Sequence, residues 1–218
     1  MRVIVTRAAD QAEPLAARLE ARGHDVVVCP LIEIEPLGDE PIDVAGYDWV
    51  VVTSPNGARE LARRRRSEPK RLAAIGPGTA EALRSGGLEP DLVARTSSQE
   101  GLAAALPPDP GHVLVAAADG ARPYLAEAVR ADFLPLYRTR ELEPPQPPEG
   151  DLVVLASPSA ARAFGRLPVL IPAVSIGPET TTAARAAGIE VVREATPHTL
   201  DGLVAAVADA ATAHSNSS

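Results

Sequence analysis

The chain is poor in three residue types on which many active sites depend: cysteine, lysine and the aromatic residues. Cys29 is the only cysteine, which excludes an internal disulfide and gives no sign of an oxidising compartment. Lys70 is the only lysine, which excludes a P-loop and leaves little scope for Schiff-base chemistry. Aromatic residues make up 3% of the chain but hydrophobic residues 45%, so we expect cores of valine, leucine, isoleucine and alanine.

The sequence also lacks the usual segments for export, membrane insertion and metal binding. Residues 1–7 have no long apolar region or cleavage site, and no later run approaches the roughly 18 apolar residues of a membrane span. The net charge of −8 argues against nucleic acid as the main partner. The four histidines have no spacing typical of a metal site. We therefore expect a soluble, cytoplasmic protein without a membrane, nucleic-acid or metal partner, and a disordered tail from His214 onward.

The most prominent feature that is present is a duplication. The segment WVVVTSPNGAR at 49–59 recurs as LVVLASPSAAR at 152–162. Four further pairs of residues are 101 positions apart: Gly76 and Gly177, Thr79 and Thr180, Gly87 and Gly188, and Gly101 and Gly202. A constant spacing of this kind indicates a duplicated unit with a natural cleft between its copies. A chain of 218 residues could form one large domain or two smaller ones, and the duplication favours two.

Short valine-rich runs alternate with segments at helical spacing, which predicts β-α units and parallel sheets. The predicted strands are 2–6, 25–29, 48–53, 72–75, 91–94, 112–116, 152–156, 172–176 and 189–193. The predicted helices are 9–22, 56–66, 78–86, 98–106, 121–131, 158–166, 179–187 and 199–211. Glycines support the helix ends, because Gly23, Gly86-Gly87 and Gly188 each lie just before a predicted strand.

A weaker repeat leaves two domain divisions open. A segment that we call P opens at 3–10 and again at 113–119. Each P is followed by the duplicated stretch that we call Q, which runs from a Ser-Pro motif (54–55 and 157–158) to a Gly-Leu pair (101–102 and 202–203). Proline-bounded extended stretches follow each P, at 30–36 and 135–144, the second continuing into a stiff proline-rich linker. Either P and Q form tandem domains, 1–106 and 112–211, or the first P joins the last Q and the extended stretches bridge the domains. Periodicity alone does not choose between them.

The first duplicated motif places small polar residues where a strand ends and a helix begins. In the first copy, Ser54 or Asn56 can cap the helix, and Pro55 suits its first turn. Residues 156–159 repeat the pattern. Capping alone explains both copies, but ligands of open α/β sheets also bind at this edge. The motif is therefore compatible with both a structural and a binding role.

The second duplicated motif has a glycine and a proline before a threonine. Gly76 and Gly177 would let backbone N–H groups approach a ligand, and Thr79 and Thr180 offer hydroxyls in the first helical turn. Neither copy matches a dinucleotide or P-loop fingerprint. The sequence shows no catalytic triad, Cys-His pair or carboxylate pair. We therefore expect either a binding module or an enzyme whose substrate carries its own reactivity.

Taken in their order and spacing, these motifs resemble the uroporphyrinogen-III synthase family. The resemblance covers about residues 1–208 and rests on seven stretches: 6–7, 30–34, 47–57, 75–79, 136–139, 156–159 and 176–180. It implies an α/β protein of two flavodoxin-like domains, parallel sheets with flanking helices, joined by a two-stranded antiparallel linker. Residues 1–30 and 145–218 would form a discontinuous domain 1, 37–134 an inserted domain 2, and 31–36 and 135–144 the linker strands.

The resemblance also implies a reaction in tetrapyrrole biosynthesis, which leads to heme, siroheme and cobalamin. Linear hydroxymethylbilane is dehydrated and cyclised to uroporphyrinogen III with inversion of ring D, without a metal or organic cofactor. This substrate expels its hydroxyl readily and can close unaided to the wrong isomer, so the enzyme's task is orientation and proton delivery. Its eight carboxylates conflict with a charge of −8 unless helix N-termini and Arg7 face the substrate. We expect a monomer that makes transient contact with the upstream hydroxymethylbilane synthase.

Family analogy suggests Tyr137 as the proton donor, although a tyrosine that merely packs against the linker strands would explain it too. Motif matching implies ten substrate-binding residues: Arg7, Thr53, Ser54, Asn56, Gly76, Thr79, Ser157, Ser159, Gly177 and Thr180. Three places depart from the family pattern: Ala116–Ala118, where an arginine is frequent, a shorter connection into 132–135, and Glu179, where a threonine is frequent.

Two other functions compete with this one. A non-catalytic tetrapyrrole-binding or regulatory paralogue on the same fold would be expected to lack Tyr137 or to carry a DNA-binding domain. A hinge receptor for another small molecule would need a secretion signal.

Overall fold

Strands and helices alternate along residues 1–215, which the computed structural model describes, with side chains described as far as Thr212. The strands are β1 Arg2–Val5, β2 Asp25–Val28, β3 Ile32–Pro36, β4 Trp49–Val52, β5 Leu72–Ala74, β6 Leu92–Val93, β7 Val113–Ala118, β8 Asp132–Glu141, β9 Leu152–Leu155, β10 Ala173–Ser175 and β11 Val191–Glu194. The helices are α1 Ala9–Glu20, α2 Pro55–Arg64, α3 Pro77–Ser85, α4 Gln99–Ala105, α5 Tyr124–Ala128, α6 Pro158–Gly165, α7 Pro178–Ala186 and α8 Leu200–Ser215. No helix among these residues is both long and apolar enough to span a bilayer.

The chain divides into two compact units, which we call the discontinuous unit and the inserted unit. The discontinuous unit comprises Met1–Glu33 and the residues from Arg140 onward, and the inserted unit comprises Ile34–Thr139. Each unit therefore combines one segment P with one segment Q: β1 of the first P pairs with β9 of the last Q, and β7 pairs with β4.

The discontinuous unit is built on a parallel five-stranded sheet in the order β11-β10-β9-β1-β2. Its central strand β1 is buried on both faces, because Val3 and Val5 belong to one apolar core and Ile4 to the other. Burial on both faces explains why the strands read as continuous apolar runs rather than as an alternation. This strand order is the flavodoxin-like one.

The inserted unit contains a six-stranded sheet in the order β3-β8-β7-β4-β5-β6, of which β8 to β6 are parallel. The central strand β4 alternates between two cores, Val50 and Val52 on one face and Trp49 and Val51 on the other. Helices thus cover both faces of both sheets, which confirms the predicted α/β class.

Strand β3 lies beside β8 and runs antiparallel to it. Within the inserted unit the Leu37 N–H donates to the Leu136 carbonyl at 2.9 Å, and within the discontinuous unit the Leu142 N–H donates to the Leu31 carbonyl at 2.8 Å. Residue numbers rise along one strand as they fall along the other, which is the antiparallel pattern. The two extended stretches recognised in the sequence are therefore neighbouring strands.

Most predicted elements are present within one or two residues of their predicted bounds, and Gly23, Gly87 and Gly188 adopt the positive φ expected just after a helix. The predicted helix 121–131 is wrong in length, because only α5 is helical and β8 already begins at Asp132. Arg130 ends α5 with a φ of 52°, and the Ala131 N–H donates to the Ala126 carbonyl, a helix stop that usually takes glycine. The tail prediction is wrong for His214 and Ser215, which continue α8, and residues 216–218 lie outside the described part.

Candidate functional site

Two serines hold equivalent places in the two units, each at the carboxyl end of a strand where a helix begins. Ser54 Oγ accepts a hydrogen bond from the Gly57 N–H at 3.0 Å, and Ser157 Oγ accepts one from the Ala160 N–H at 3.2 Å. Of the two candidate caps in the first motif, Ser54 is therefore the N-cap of α2. Capping fixes each hydroxyl at the edge of its sheet where open α/β folds bind ligands.

Tyr137 lies on β8 in the inserted unit, and its hydroxyl reaches the α2 cap. The side chain is only 5% exposed, and the hydroxyl oxygen lies 2.8 Å from Ser54 Oγ. Burial raises the pKa of Tyr137 above its ordinary value of 10.0, against the opposing effects of hydrogen bonding to Ser54, the charge of Arg59 and hydrogen bonding to Asn56. The phenol therefore keeps its proton at neutral pH, and the groups that would stabilise the phenolate are already in place.

Arg59 was not among the predicted site residues, but its charge acts on Tyr137 in the structure. It lies in the second turn of α2, and its Nη1 donates to Asn56 Oδ1 at 2.6 Å. Its positive charge lowers the pKa of Tyr137. The sequence did hold a signal, because both copies of the duplicated motif end in arginine. In the second copy Arg162 Nη2 donates to Ser159 Oγ at 3.0 Å. In both units, therefore, the arginine hydrogen-bonds to a side chain in the first turn of its helix.

The other predicted residues of the inserted unit differ in their exposure. Thr53 is half-buried at the end of β4, whereas Thr79 is only 3% exposed. Gly76 is buried, and a Cβ at that position would come 2.3 Å from Ser97 Oγ. The sequence motif suggested that this glycine lets a ligand approach, and the structure adds a packing reason, since any larger residue would displace Ser97.

In the discontinuous unit, Ser157 and Ser159 are half-buried at the start of α6. Arg7 follows β1, and its guanidinium donates to the Gln11 carbonyl at 3.0 Å and to Gln11 Oε1 at 3.3 Å. Thr180 is 2% exposed. Gly177 is covered by the imidazole of His198, whose nearest atom would lie 3.3 Å from a Cβ at position 177. As with Gly76 and Ser97, the absence of a side chain at Gly177 leaves room for His198.

The starts of α3 and α7 differ from those of α2 and α6. Their N-caps are Gly76 and Gly177, which have no side chain to accept from the first-turn N–H groups. The first turn of such a helix carries partial positive charge, which favours an anion. Glu179, in the first turn of α7, already supplies one negative charge there, so the two helix starts differ in their electrostatics.

Two cavities lie apart from these residues. One of about 430 Å³ is at the amino ends of β1, β2 and β9, lined by Met1, Arg2, Asp25, Gly150 and Asp151. The other, of about 600 Å³, is lined by 164–165, 167–172 and 187–190. Among residues 1–215 no group of three histidine, cysteine, aspartate or glutamate side chains is placed to hold a metal ion.

Tyr137, with its raised pKa, is a neutral acid at ordinary pH, and its neighbours are the hydroxyl of Ser54, the amide of Asn56 and the charge of Arg59. This arrangement is suited to delivering a proton.

Comparison with known proteins supports the family resemblance seen in the sequence motifs. A family model described as uroporphyrinogen-III synthase HemD matches residues 13–205. The chain is 27% identical to the uroporphyrinogen-III synthase of Synechococcus elongatus, over 94% of this chain and 93% of that relative.

Two solved structures share the fold at 18% identity. One is a mutant uroporphyrinogen III synthase of the extremely thermophilic bacterium Thermus thermophilus, with a TM-score of 0.62 over 97% of this chain and 99% of that one. The other is a uroporphyrinogen-III synthetase of Helicobacter pylori, with a TM-score of 0.57 over 96% and 99%. Because the family model covers most of the sequence, the chain belongs to the uroporphyrinogen-III synthase family.

Proposed function

We propose that this protein is a uroporphyrinogen-III synthase, a cyclising lyase that converts hydroxymethylbilane to uroporphyrinogen III and water with inversion of ring D. Family membership supports the assignment. The observation that carries it at the level of chemistry is the buried Tyr137 hydroxyl, 2.8 Å from Ser54 Oγ at the start of a helix. A neutral phenol in this place can protonate a leaving hydroxyl without a metal or cofactor.

In the proposed mechanism Tyr137 donates its proton to the departing hydroxyl of hydroxymethylbilane. The carbon–oxygen bond breaks, water leaves, and the pyrrole nitrogen stabilises the cation that forms. The phenolate left on Tyr137 is stabilised by Ser54 and Asn56 and by the charge of Arg59. Ring closure releases a proton from a pyrrole carbon, so proton uptake and release balance over one turnover. The orientation in which the protein holds the two ends of the linear tetrapyrrole decides which isomer forms.

Each unit contributes a substrate-binding surface at the carboxyl edge of its sheet in this proposal. The inserted unit contributes Thr53, Ser54, Asn56, Gly76 and Thr79, and the discontinuous unit contributes Arg7, Ser157, Ser159, Gly177 and Thr180. Most of these offer a hydroxyl or a backbone N–H, which suits a substrate with eight carboxylates better than the net charge of −8 would suggest.

The remaining parts of the proposal concern organisation. The functional domains are 1–30 with 145–218, and 37–134, joined by the linker strands 31–36 and 135–144. The protein acts as a monomer in the cytoplasm and receives its unstable substrate through transient contact with hydroxymethylbilane synthase. Nucleic acids and membranes are not partners.

The deciding experiment generates hydroxymethylbilane in situ and separates the product isomers after oxidation to porphyrins. We expect isomer III to predominate with the protein and isomer I without it. If isomer I predominates in both cases, the proposal fails. Tight binding of the product porphyrin without turnover would instead favour the non-catalytic tetrapyrrole-binding paralogue.

A further inference from the structure

An arginine occupies the fifth position of both helices that begin at the Ser-Pro motif, Arg59 in α2 and Arg162 in α6. Each reaches back to the side chain three residues earlier, where Arg59 Nη1 donates to Asn56 Oδ1 and Arg162 Nη2 donates to Ser159 Oγ. Helical side chains point towards the N-terminus of their helix, so both guanidinium groups lie towards the carboxyl edge of their own sheet. The duplicated unit thus keeps the arginine and its placement, although the hydrogen-bond partner changes.

The role proposed for Arg59 beside Tyr137 has no counterpart within the discontinuous unit. All three tyrosines of the chain lie between Ile34 and Thr139, in the inserted unit. The discontinuous unit therefore has no phenolate of its own for Arg162 to stabilise. What the two arginines share is a cationic group in the first turns of a helix, at the edge of the sheet where ligands of open α/β folds bind.

Ion pairing with Glu141 explains the position of Arg162 only in part. Arg162 Nε lies 3.4 Å from one oxygen of that carboxylate, and Arg166 Nη2 lies 2.5 Å from the other. The two arginine side chains are 55% and 54% exposed, and ion pairs at such exposure contribute little to stability. Because two guanidinium groups share one carboxylate, one positive charge is left in excess here, in a chain whose net charge is −8.

Arg162 also has hydrogen-bond donors that the protein does not use. A guanidinium has five N–H groups and is permanently charged. The contacts of Arg162 among the described residues engage Nη2 and Nε, so the two N–H groups of Nη1 have no partner in that part of the chain. Guanidinium groups bind carboxylates particularly well, through parallel charge-assisted hydrogen bonds. The excess charge and the unused donors both favour an anionic ligand.

We propose that Arg162 is a further substrate-binding residue, which binds a carboxylate of the substrate beside Ser159 at the start of α6. The inference rests on the proposed function for the identity of the ligand, an octacarboxylate. It adds to Arg7 a second cationic contact on the discontinuous unit, where Ser157 and Ser159 offer only hydroxyl groups. The substrate and Glu141 compete for the same guanidinium, so removal of the acid frees Arg162 for the substrate.

The test compares three variants with the wild type. Arg162→Gln removes the proposed contact. Arg166→Gln is the matched control, because Arg166 pairs with the same carboxylate and carries the same charge but lies at the C-terminal end of α6, one turn farther from Ser159. Glu141→Gln removes the competing acid. Each variant is measured for KM and kcat with hydroxymethylbilane formed in situ, and for Kd with uroporphyrin III, a stable octacarboxylate.

We expect Arg162→Gln to raise KM and the Kd for uroporphyrin III about tenfold, as the loss of one charge-assisted hydrogen bond implies. Its kcat should stay within about twofold of the wild type, because the bound carboxylate is remote from the bond that breaks. Arg166→Gln should match the wild type within about twofold in all three constants. Glu141→Gln should leave KM and Kd unchanged or lower them by up to about threefold.

Three results would overturn the proposal. Arg162→Gln could bind both ligands as the wild type does. Arg162→Gln and Arg166→Gln could weaken binding equally, which would mean that only the net charge of the surface acts. Glu141→Gln could weaken binding as much as Arg162→Gln, which would mean that the ion pair has a structural role. If the wild type makes no isomer III, the proposed function fails, and the Kd for uroporphyrin III alone decides the role of Arg162, with no binding by the wild type counting against it.

Discussion

The hydroxyl groups of Tyr137 and Ser54 lie 2.8 Å apart, and Ser54 is at the same time the N-cap of α2. Because Ser54 Oγ accepts from the Gly57 N–H, its own proton is available to Tyr137 whenever the phenol has given its proton away. One serine therefore connects the start of α2 to the proposed acid on β8, which lies two strands away from β4 in the sheet. Capping fixes the Ser54 hydroxyl, and burial restricts the Tyr137 side chain that reaches it.

Replacing Tyr137 with phenylalanine tests the proposed proton donor directly. We expect turnover to isomer III to fall by about 100-fold or more, in the range that loss of a positioned general acid produces. The free energy of unfolding should fall by only about 1 kcal/mol, because one buried hydrogen bond to Ser54 is lost. Measured turnover of the Tyr137→Phe protein at the wild-type rate would remove this residue from the mechanism.

Replacing Arg59 with glutamine tests the charge beside the phenol. Arg59 lowers the pKa of Tyr137, so removing it should raise that pKa and move the alkaline limb of the rate profile to higher pH. The phenolate formed on proton transfer also loses stabilisation, so kcat should fall by about fivefold for an exposed, partly screened charge.

The matched control is Arg63→Gln on the next turn of α2, since Arg63 pairs with Glu60 and Asp39 instead. Its profile should overlay that of the wild type. Equal shifts in both variants would mean that the net charge of the helix, and not contact through Asn56, acts on Tyr137.

The low pKa of Asp43 should make the stability of the inserted unit depend on pH in the acid range. Hydrogen bonds from Arg66, Ser67 and the Ala45 N–H lower its pKa from 3.8 to about 2. A carboxyl whose pKa is depressed by folding stabilises the protein above its unfolded pKa and loses that contribution as the pH falls through the folded value. We therefore expect Asp43→Asn to flatten the fall in the free energy of unfolding between about pH 4 and pH 2. Ser67→Ala should have an intermediate effect, and a wild-type slope in Asp43→Asn would contradict the assignment.

A substitution at Gly202 tests why glycine recurs at this position of the duplicated unit. A Cβ at Gly202 would lie 1.8 Å from the Pro197 carbonyl oxygen, and one at its duplicate Gly101 would lie 2.3 Å from the Thr96 carbonyl. Both contacts are with backbone, which cannot move aside cheaply. Gly202→Ala should lower the free energy of unfolding by roughly 2–4 kcal/mol in a denaturant titration. Gly46→Ala, with open space around its Cβ, is the control, and equal stability of the two variants would disprove the steric account.

Local patterns in the sequence predicted the elements well, and the pairing of distant strands less well. Runs such as Val50–Val52 are buried on both faces, so their apolar character identifies strands. Periodicity could not tell that β1 pairs with β9 rather than with β4, because both are short, valine-rich apolar runs. The end of α5 was missed because Arg130 adopts a conformation that glycine usually marks.

For the candidate site, the sequence predicted which strand ends and helix starts form it, but not which side chains contact one another there. The Ser-Pro motif identified Ser54 as a residue at a strand end, but Ser54 and Asn56 were equivalent as caps until the geometry separated them. Arg59 was overlooked because an arginine in a helix is ordinarily a solvated residue, and its role depends on a tyrosine 78 positions away on another element.

The pairing of Val3 with Leu152 has a consequence for how the protein comes into being. During synthesis every strand of the inserted unit is complete before β9 is made, so this unit is the first that can fold. Strands β1 and β2 must meanwhile wait with an unpaired edge until the last third of the chain arrives to close their sheet. The first residues to be synthesised are thus among the last to reach their final neighbours.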